Sequence, residues 1–256
     1  MADDSAQPPD STPADLTSLL SAWNFEPGRP IVRKVAGVDD GRELLQMRVD
    51  MGVLQLEVTG RPDGSKPHGF PTIYDYLVSA AFEEGQGFEL TEERRIEIDR
   101  EFYQYYHRRI CWLALQDYAR AAADAEHTLR LMDFTSANAV DRQWAVMHEQ
   151  YRPFVMFHHV QSQALTKLQA SDPAGAVTVI SGGLDAMAKL FAQHDAEDHF
   201  DDDLFVQKLR EMQESIKSQF SLGPSLAEQL ADAVAAEQYE LAAKLRDKLA
   251  RGPEGA

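Results

Sequence analysis

Between residues 44 and 58 apolar and polar side chains alternate, and from about residue 72 onward that period gives way to helical spacing. This switch confines β structure to a small region near the start and commits the longer remainder of the chain to helices. In ELLQMRVDMGVLQLEV, Leu45, Met47 and Val49 alternate with Gln46, Arg48 and Asp50, and after Met51-Gly52 the residues Leu54, Leu56 and Val58 alternate with Gln55 and Glu57. A two-residue loop at Met51-Gly52, with Gly52 supplying a positive φ, predicts a hairpin. It pairs Val49 with Leu54, Met47 with Leu56 and Leu45 with Val58 on one face. Arg48 with Gln55 and Gln46 with Glu57 fall on the other, so pattern and turn agree. Ile31 to Ala36 reads as a further strand, ended by the turn signal Asp39-Asp40-Gly41. The expectation is a small antiparallel sheet with one face buried.

GRPDGSKPHGFP, residues 60–71, is dense in Gly and Pro and reads as a loop. Ile73, Tyr76, Leu77 and Ala80-Ala81 predict a short amphipathic helix, and Thr91-Glu92-Glu93-Arg94 signals the start of another that runs through Ile96, Phe102, Tyr105, Ile110 and Leu113. Further helices are expected at about 117–133, 138–169, 174–193 and 203–220, the longest interrupted by Pro153, which lacks an N–H and clashes with the preceding turn. An internal repeat runs through them. Gln116-Asp117-Tyr118 leads to Ala121 and Leu129, and Ser171-Asp172-Pro173 leads to Ala176 and Leu184. Over roughly residues 95–193 this resembles the tetratricopeptide (TPR) helical hairpin, although neither unit carries the full consensus.

Composition excludes several function classes. The formal charge is −17 over 256 residues, and phosphate binding depends on Lys and Arg, so nucleic acid is disfavoured as a partner. Arg94-Arg95, Arg100 and Arg108-Arg109 are interleaved with Glu92, Glu93, Glu97, Asp99 and Glu101 and read as a solvated, salt-bridged helix face. No apolar stretch near eighteen residues stands out, which predicts no membrane span. MADDSAQPPDSTPAD lacks the basic and apolar regions of a signal peptide, and residues 1–15 read as a disordered acidic tail. The single cysteine, Cys111, excludes an intrachain disulfide and a multi-cysteine zinc site. These features point to the cytoplasm.

After Gly223-Pro224, Ser225 is placed to cap a new helix. Leu226, Leu230, Ala233 and Val234 form one apolar stripe, Ala236 to Tyr239 a bend, and Ala242, Ala243, Leu245 and Leu249 a second stripe that ends before Gly252-Pro253. Two helices this short have little interior, so they must dock on the rest of the chain, on a second copy or on another protein. LAEQLADAVAAEQYELAAKLRDKLA is similar to the UVR (UvrB/UvrC) motif: spaced leucines, the acidic-polar-aromatic turn Glu237-Gln238-Tyr239, Glu240, paired alanines, and Leu245-Arg246-Asp247. The resemblance implies a helical hairpin that pairs with another UVR hairpin, with Tyr239 as an exposed aromatic knob and Arg246 and Asp247 making polar contacts around it. The interaction residues it implies are Leu230, Val234, Tyr239, Ala242, Ala243, Leu245, Arg246 and Asp247. GRELLQMRVDMGVLQLEVTGRPDG also resembles the front end of bacterial UVR-domain proteins of uncharacterised function. No GxxxxGK[ST] loop is present, so the helicase engine found beside the motif in UvrB is not expected.

Candidate chemistry elsewhere is diffuse. His194-Asp195-Ala196-Glu197-Asp198-His199 holds good metal-ligand types but reads as a solvated linker whose acids favour the next helix N-terminus. His158-His159 are adjacent on a helix and point in different directions, and there is no HExxH or Glu-x-x-His pair. The polar sheet face, with Arg48, Asp50, Gln55, Glu57 and Arg61, is a possible surface site beside the ordinary wet face of a sheet. The expected architecture is α+β and mainly α: an N-terminal α/β region with a β-hairpin over 16–90, a TPR-like helical domain over 91–222 and a UVR hairpin over 223–256. The expected function is a non-enzymatic adaptor with no cofactor, whose partners are proteins, among them another UVR-containing protein or a second copy. A ligand binder or enzyme built on the sheet face and the 60–71 loop, and a nucleic-acid-associated repair factor, are the alternatives.

Overall fold

The computed structural model describes residues 15–224 and 226–251. All but the last residue of the expected acidic tail, the expected cap at Ser225 and the break at Gly252-Pro253 lie outside them. The chain divides into two compact units, Met1–Asp117 and Tyr118–Ala256.

The first unit begins with helix α1 (Thr17–Ala22), followed by strands β1 (Ile31–Ala36), β2 (Glu43–Val49) and β3 (Gly52–Glu57). They form an antiparallel sheet in the order β1-β2-β3. Val49 pairs with Gly52, Met47 with Leu54, Leu45 with Leu56 and Gln46 with Gln55. The expected register is therefore off by two residues, and the two-residue loop is Asp50-Met51. A shift of two preserves which side chains share a face, so the apolar row survives. The physical reason lies in Arg48. Its Nη1 donates to the carbonyls of Val49, Asp50 and Gly52, the latter two at 3.0 and 3.1 Å, and clamps a turn that needs no positive φ. Leu45, Met47 and Leu56 are buried, and Lys34 on the same face reaches over the ring of Trp112. The opposite face is not simply wet, because Leu44 and Arg48 on it are buried too.

Helices α2 (Ile73–Glu84) and α3 (Glu92–Ala114) complete this unit. Thr72 caps α2 by accepting from Asp75 N, and Thr91 caps α3 by accepting from Arg94 N. Helix α3 packs against α2, β1 and β2, so it belongs with the sheet, whereas sequence placed a boundary at residues 90–91.

The second unit contains α4 (Tyr118–Asn138), α5 (Arg142–Glu149), α6 (Arg152–Gln169), α7 (Pro173–Gln193), α8 (Leu204–Gln219), α9 (Leu226–Ala235) and α10 (Tyr239–Arg251). The expected helix over 138–169 is broken just before Pro153, which takes the first turn of α6, where its missing N–H costs no hydrogen bond. Helix α4 packs on α6, α6 on α7, and α7 on α8. Phe157, Val160, Ala164, Ala176, Ile180, Met187, Val206 and Leu209 belong to one buried cluster, with Gly183 lying directly on Val160. Helix α7 corrects the expectation that no apolar stretch reaches membrane length. With Asp185 and Lys189 as its charges, it is long and apolar enough to cross a membrane by length and composition, and here Ala176, Val177, Ile180 and Met187 are core residues.

One turn recurs along the chain. Gln116, Ser171, Asp195, Ser221 and Glu237 have φ of 57°, 59°, 52°, 52° and 57°. After each, the next N–H reaches back five residues: Asp117 to Trp112 O at 2.9 Å, Asp172 to Lys167 O at 2.9 Å, Ala196 to Phe191 O at 3.0 Å, Leu222 to Lys217 O at 2.9 Å, and Gln238 to Ala233 O at 2.7 Å. These are Schellman endings with a non-glycine in the left-handed position. In three of them an alanine four residues further on is buried, namely Ala121, Ala176 and Ala242. The turn of the C-terminal hairpin is thus built like two turns upstream of it.

Candidate functional site: the C-terminal hairpin

Helices α9 and α10 form a hairpin because Glu237 accepts the left-handed conformation and Gln238 accepts a backbone N–H from Ala242, starting α10 immediately. The two apolar stripes split between an inner and an outer face. Ala233, Ala242 and Leu245 are buried with Leu230 packed against them, a cluster made of hairpin residues alone. Small alanines at the crossing let two short helices approach closely. Val234, Tyr239 and Leu241 turn outward and are 53%, 69% and 45% exposed. Tyr239, Leu241, Glu237, Gln238, Glu240 and Lys244 line an open depression of ≈ 540 Å³.

The residues expected to carry interaction therefore divide. Leu230, Ala242 and Leu245 hold the two helices together. Val234, Tyr239 and Ala243 face solvent. Arg246 donates to Asp247 Oδ1 at 3.1 Å, with both side chains largely exposed, and an ion pair so hydrated adds little stability while remaining available to a partner. Leu241 and Lys244 were not singled out from sequence. Their signal was present in the 3.6-residue period, because a residue adjacent to the inward Ala242 must point away from it. The side chains of Leu226 and Leu249 are outside those described. Acidic residues (Glu237, Glu240) cluster at the turn end and basic ones (Lys244, Arg246, Lys248) further along α10, so the outer face carries both signs along its length.

The polar sheet face is arranged differently. Arg33 donates to Gln46 Oε1 at 2.9 and 2.7 Å, Gln46 donates to Gln55 at 3.0 Å, and the Arg33 guanidinium lies 4.2 Å from the Trp23 ring centroid. Glu57 accepts from Arg42 Nε at 3.1 Å through both carboxylate oxygens and from Nη2 at 2.9 Å. Arg48 is committed to the Trp23 carbonyl at 2.8 Å and to the turn, and Asp50 stands exposed at the tip. Arg61 is buried, giving Nη1 to Glu97 at 2.5 Å and Nε to Gln104 at 3.2 Å, with Glu101 3.9 Å away. Glu101, fully buried, accepts from the N–H groups of Ile73 and Tyr74 at 2.7 and 3.3 Å and so neutralises the positive end of α2. Arg108 donates to the carbonyls of Glu57 and Gly60 at 3.1 and 2.7 Å. The five proposed surface residues thus do not converge. Arg48 and Arg61 are internal braces, and the arginines of α3 are not simply a solvated face, since Arg108 and Arg109 are buried.

Among the described residues no group of three or more His, Cys, Asp or Glu is placed to hold a metal ion. His158 is buried between Phe154 and Phe157. The His159 ring has its Nε2 buried without a partner, and burial pushes its pKa below the ordinary imidazole value. In the acidic segment Asp203 caps α8 by accepting from Phe205 and Val206, and Asp201 pairs with Arg210.

Residues 224–251 match the UvrB/uvrC motif family, which spans both helices of this hairpin. No curated protein and no solved structure matches the chain.

Proposed function

We propose that this chain is a non-enzymatic, cytoplasmic adaptor that binds protein through its UVR hairpin. The supporting observation is the division of the hairpin's apolar residues: an alanine-leucine seam satisfies the helices internally, yet Val234, Tyr239 and Leu241 remain exposed beside it. Tyr239 and Leu241 stand together in the lining of one open depression. Aromatic side chains bury large areas at small entropic cost and dominate binding where they occur. The acidic turn end (Glu237, Glu240) and the basic Lys244 and Lys248 further along, with Arg246 paired to Asp247, suit a second UVR hairpin laid in the opposite sense, in another protein or in a second copy of this chain. The TPR-like reading of roughly residues 95–193 gives the adaptor its body. The enzyme and ligand-binder alternative draws no support from Arg48 and Arg61, whose guanidiniums are committed inside the fold, and a repair factor on nucleic acid is poorly served by arginines held internally.

The test compares the full chain with one lacking residues 224–256 in affinity capture from native cell extract and in sedimentation velocity. Partner capture or self-association lost with the hairpin supports the proposal. Both unchanged would sink it.

A further inference from the structure

A pocket of ≈ 330 Å³ lies in the second unit, apart from the hairpin, lined by Val146, Glu149, Gln150, Pro153, Leu190, Phe191, His194 and Ala196. Helix α5 forms one bank and the end of α7 the other. The pocket floor is apolar, and α5 continues that character onto the surface, where Val146 and Met147 are about three-fifths exposed and Val140 and Tyr151 at its two ends are also exposed. Of these Val146 lines the pocket itself, and an exposed apolar residue on the edge of an apolar concavity marks a candidate interaction site. The short helix is well anchored beneath them. Asp141 caps it by accepting from Gln143 and Trp144, and Trp144 and Ala145 are buried.

The second bank supplies charge. The Schellman turn after α7 brings His194 and Ala196 into the lining, and Asp195, Glu197 and Asp198 are their neighbours along the chain. All three are exposed, and their carboxylates make no hydrogen bond or ion pair among the described residues. Arg152, the cation near the floor, is already neutralised by Glu149 at 2.5 Å and Asp133 at 2.7 Å. Burial opposes ionisation of Glu149, but the hydrogen bonds from Arg152 and Ser136 hold its carboxyl below the usual range, so Glu149 stays ionised within its pair with Arg152.

We infer that the α5–α7 pocket is a docking site for a basic amphipathic segment of a partner protein, one bulky apolar side chain seated against Val146, Leu190 and Phe191 and its Lys or Arg neighbours over Asp195, Glu197 and Asp198. The pocket has room for a bulky apolar side chain, and the exposed carboxylates next in chain to its lining residues His194 and Ala196 select the sign of what flanks it. This site is separate from the hairpin, and either can fail without the other.

The probes are a fluorescein-labelled synthetic Leu/Lys amphipathic helical peptide and its Leu/Glu counterpart, titrated by anisotropy into the full chain. The Leu/Lys peptide binds and the Leu/Glu peptide does not. Val146→Glu and, separately, Glu197→Lys/Asp198→Lys each weaken binding by about tenfold or more, whereas Asp39→Lys/Asp50→Lys, which changes charge equally on the first unit, weakens it by less than about twofold. The proposal is overturned if the control pair weakens binding as much as the Glu197→Lys/Asp198→Lys pair, if Val146→Glu leaves it unchanged, or if the two peptides bind alike. It is also overturned if n-decylamine occupies the pocket while the Leu/Lys peptide does not bind, which would assign a small amine. Self-association abolished by Val146→Glu, with no peptide binding, would assign the face to a second copy and overturn it too.

Discussion

The first unit and the helical part of the second are held together by different physics. Around the 60–71 loop, α2 and α3 meet through buried charge: Arg61 between Glu97 and Glu101, Glu101 on the α2 N-terminus, and Arg108 on the Glu57 and Gly60 carbonyls. Between α6, α7 and α8 the contact is apolar and close, with Ala164, Ala176 and Gly183 setting how near the helices lie. Buried charges are directional and fail when one partner is removed, whereas an apolar interface degrades in proportion to volume. The C-terminal hairpin follows the second pattern inside and leaves Val234, Tyr239 and Leu241 exposed outside.

Breaking the first kind of contact has the largest expected effect. Glu101→Ala leaves two N–H groups of α2 without their acceptor and removes one of the carboxylates beside the buried Arg61, which keeps Glu97, and a loss of about 3 kcal/mol is expected in chemical denaturation. Amide hydrogen exchange then shows the loss in α2 and α3 and leaves α6 and α7 protected. A uniform loss across both units would erase the contrast.

The next effect tests the apolar contact. A Cβ on Gly183 would overlap the Val160 methyl groups, so Gly183→Ala costs about 1–3 kcal/mol despite the better helix propensity of alanine. Adding Val160→Ala recovers part of that loss if contact distance is the cause. No recovery in the double variant's thermal midpoint would point to another reason.

A smaller effect sharpens the comparison through pH. His159 is held neutral by burial with Nε2 unpartnered, so its folded pKa lies below the ordinary value of 6.5. The unfolded chain takes up the proton first, so this contribution is complete above 6.5 and is lost as pH falls below it. The thermal midpoint of the second unit therefore falls with acidification in that window, and His159→Leu flattens the slope. An unchanged slope would show that other groups govern it.

These contrasts also explain which features were legible in the sequence. The apolar periods are local, so the strands, the helices, the break at Pro153 and both stripes of the hairpin could be read from spacing. Tyr239 was recognisable because its neighbours occur in motif order. The hairpin register slipped because Gly52 is the residue a positive φ would favour, while the clamp by Arg48 depends on where a long side chain reaches in three dimensions. Arg61 and Glu101 are separated by forty positions, and nothing in their local pattern distinguishes a buried brace from a solvated pair. The same holds for the α5–α7 pocket, whose banks are remote in sequence.

The outer face of the hairpin carries the proposed function, and it is tested most directly by Tyr239→Ala combined with Leu241→Ala. Both side chains are exposed, so circular dichroism should be unchanged and stability should stay within about 0.5 kcal/mol of the parent. With the fold intact, self-association in sedimentation velocity or capture of a protein partner is expected to be lost. An unchanged association with the hairpin still helical would contradict the proposed role of this face.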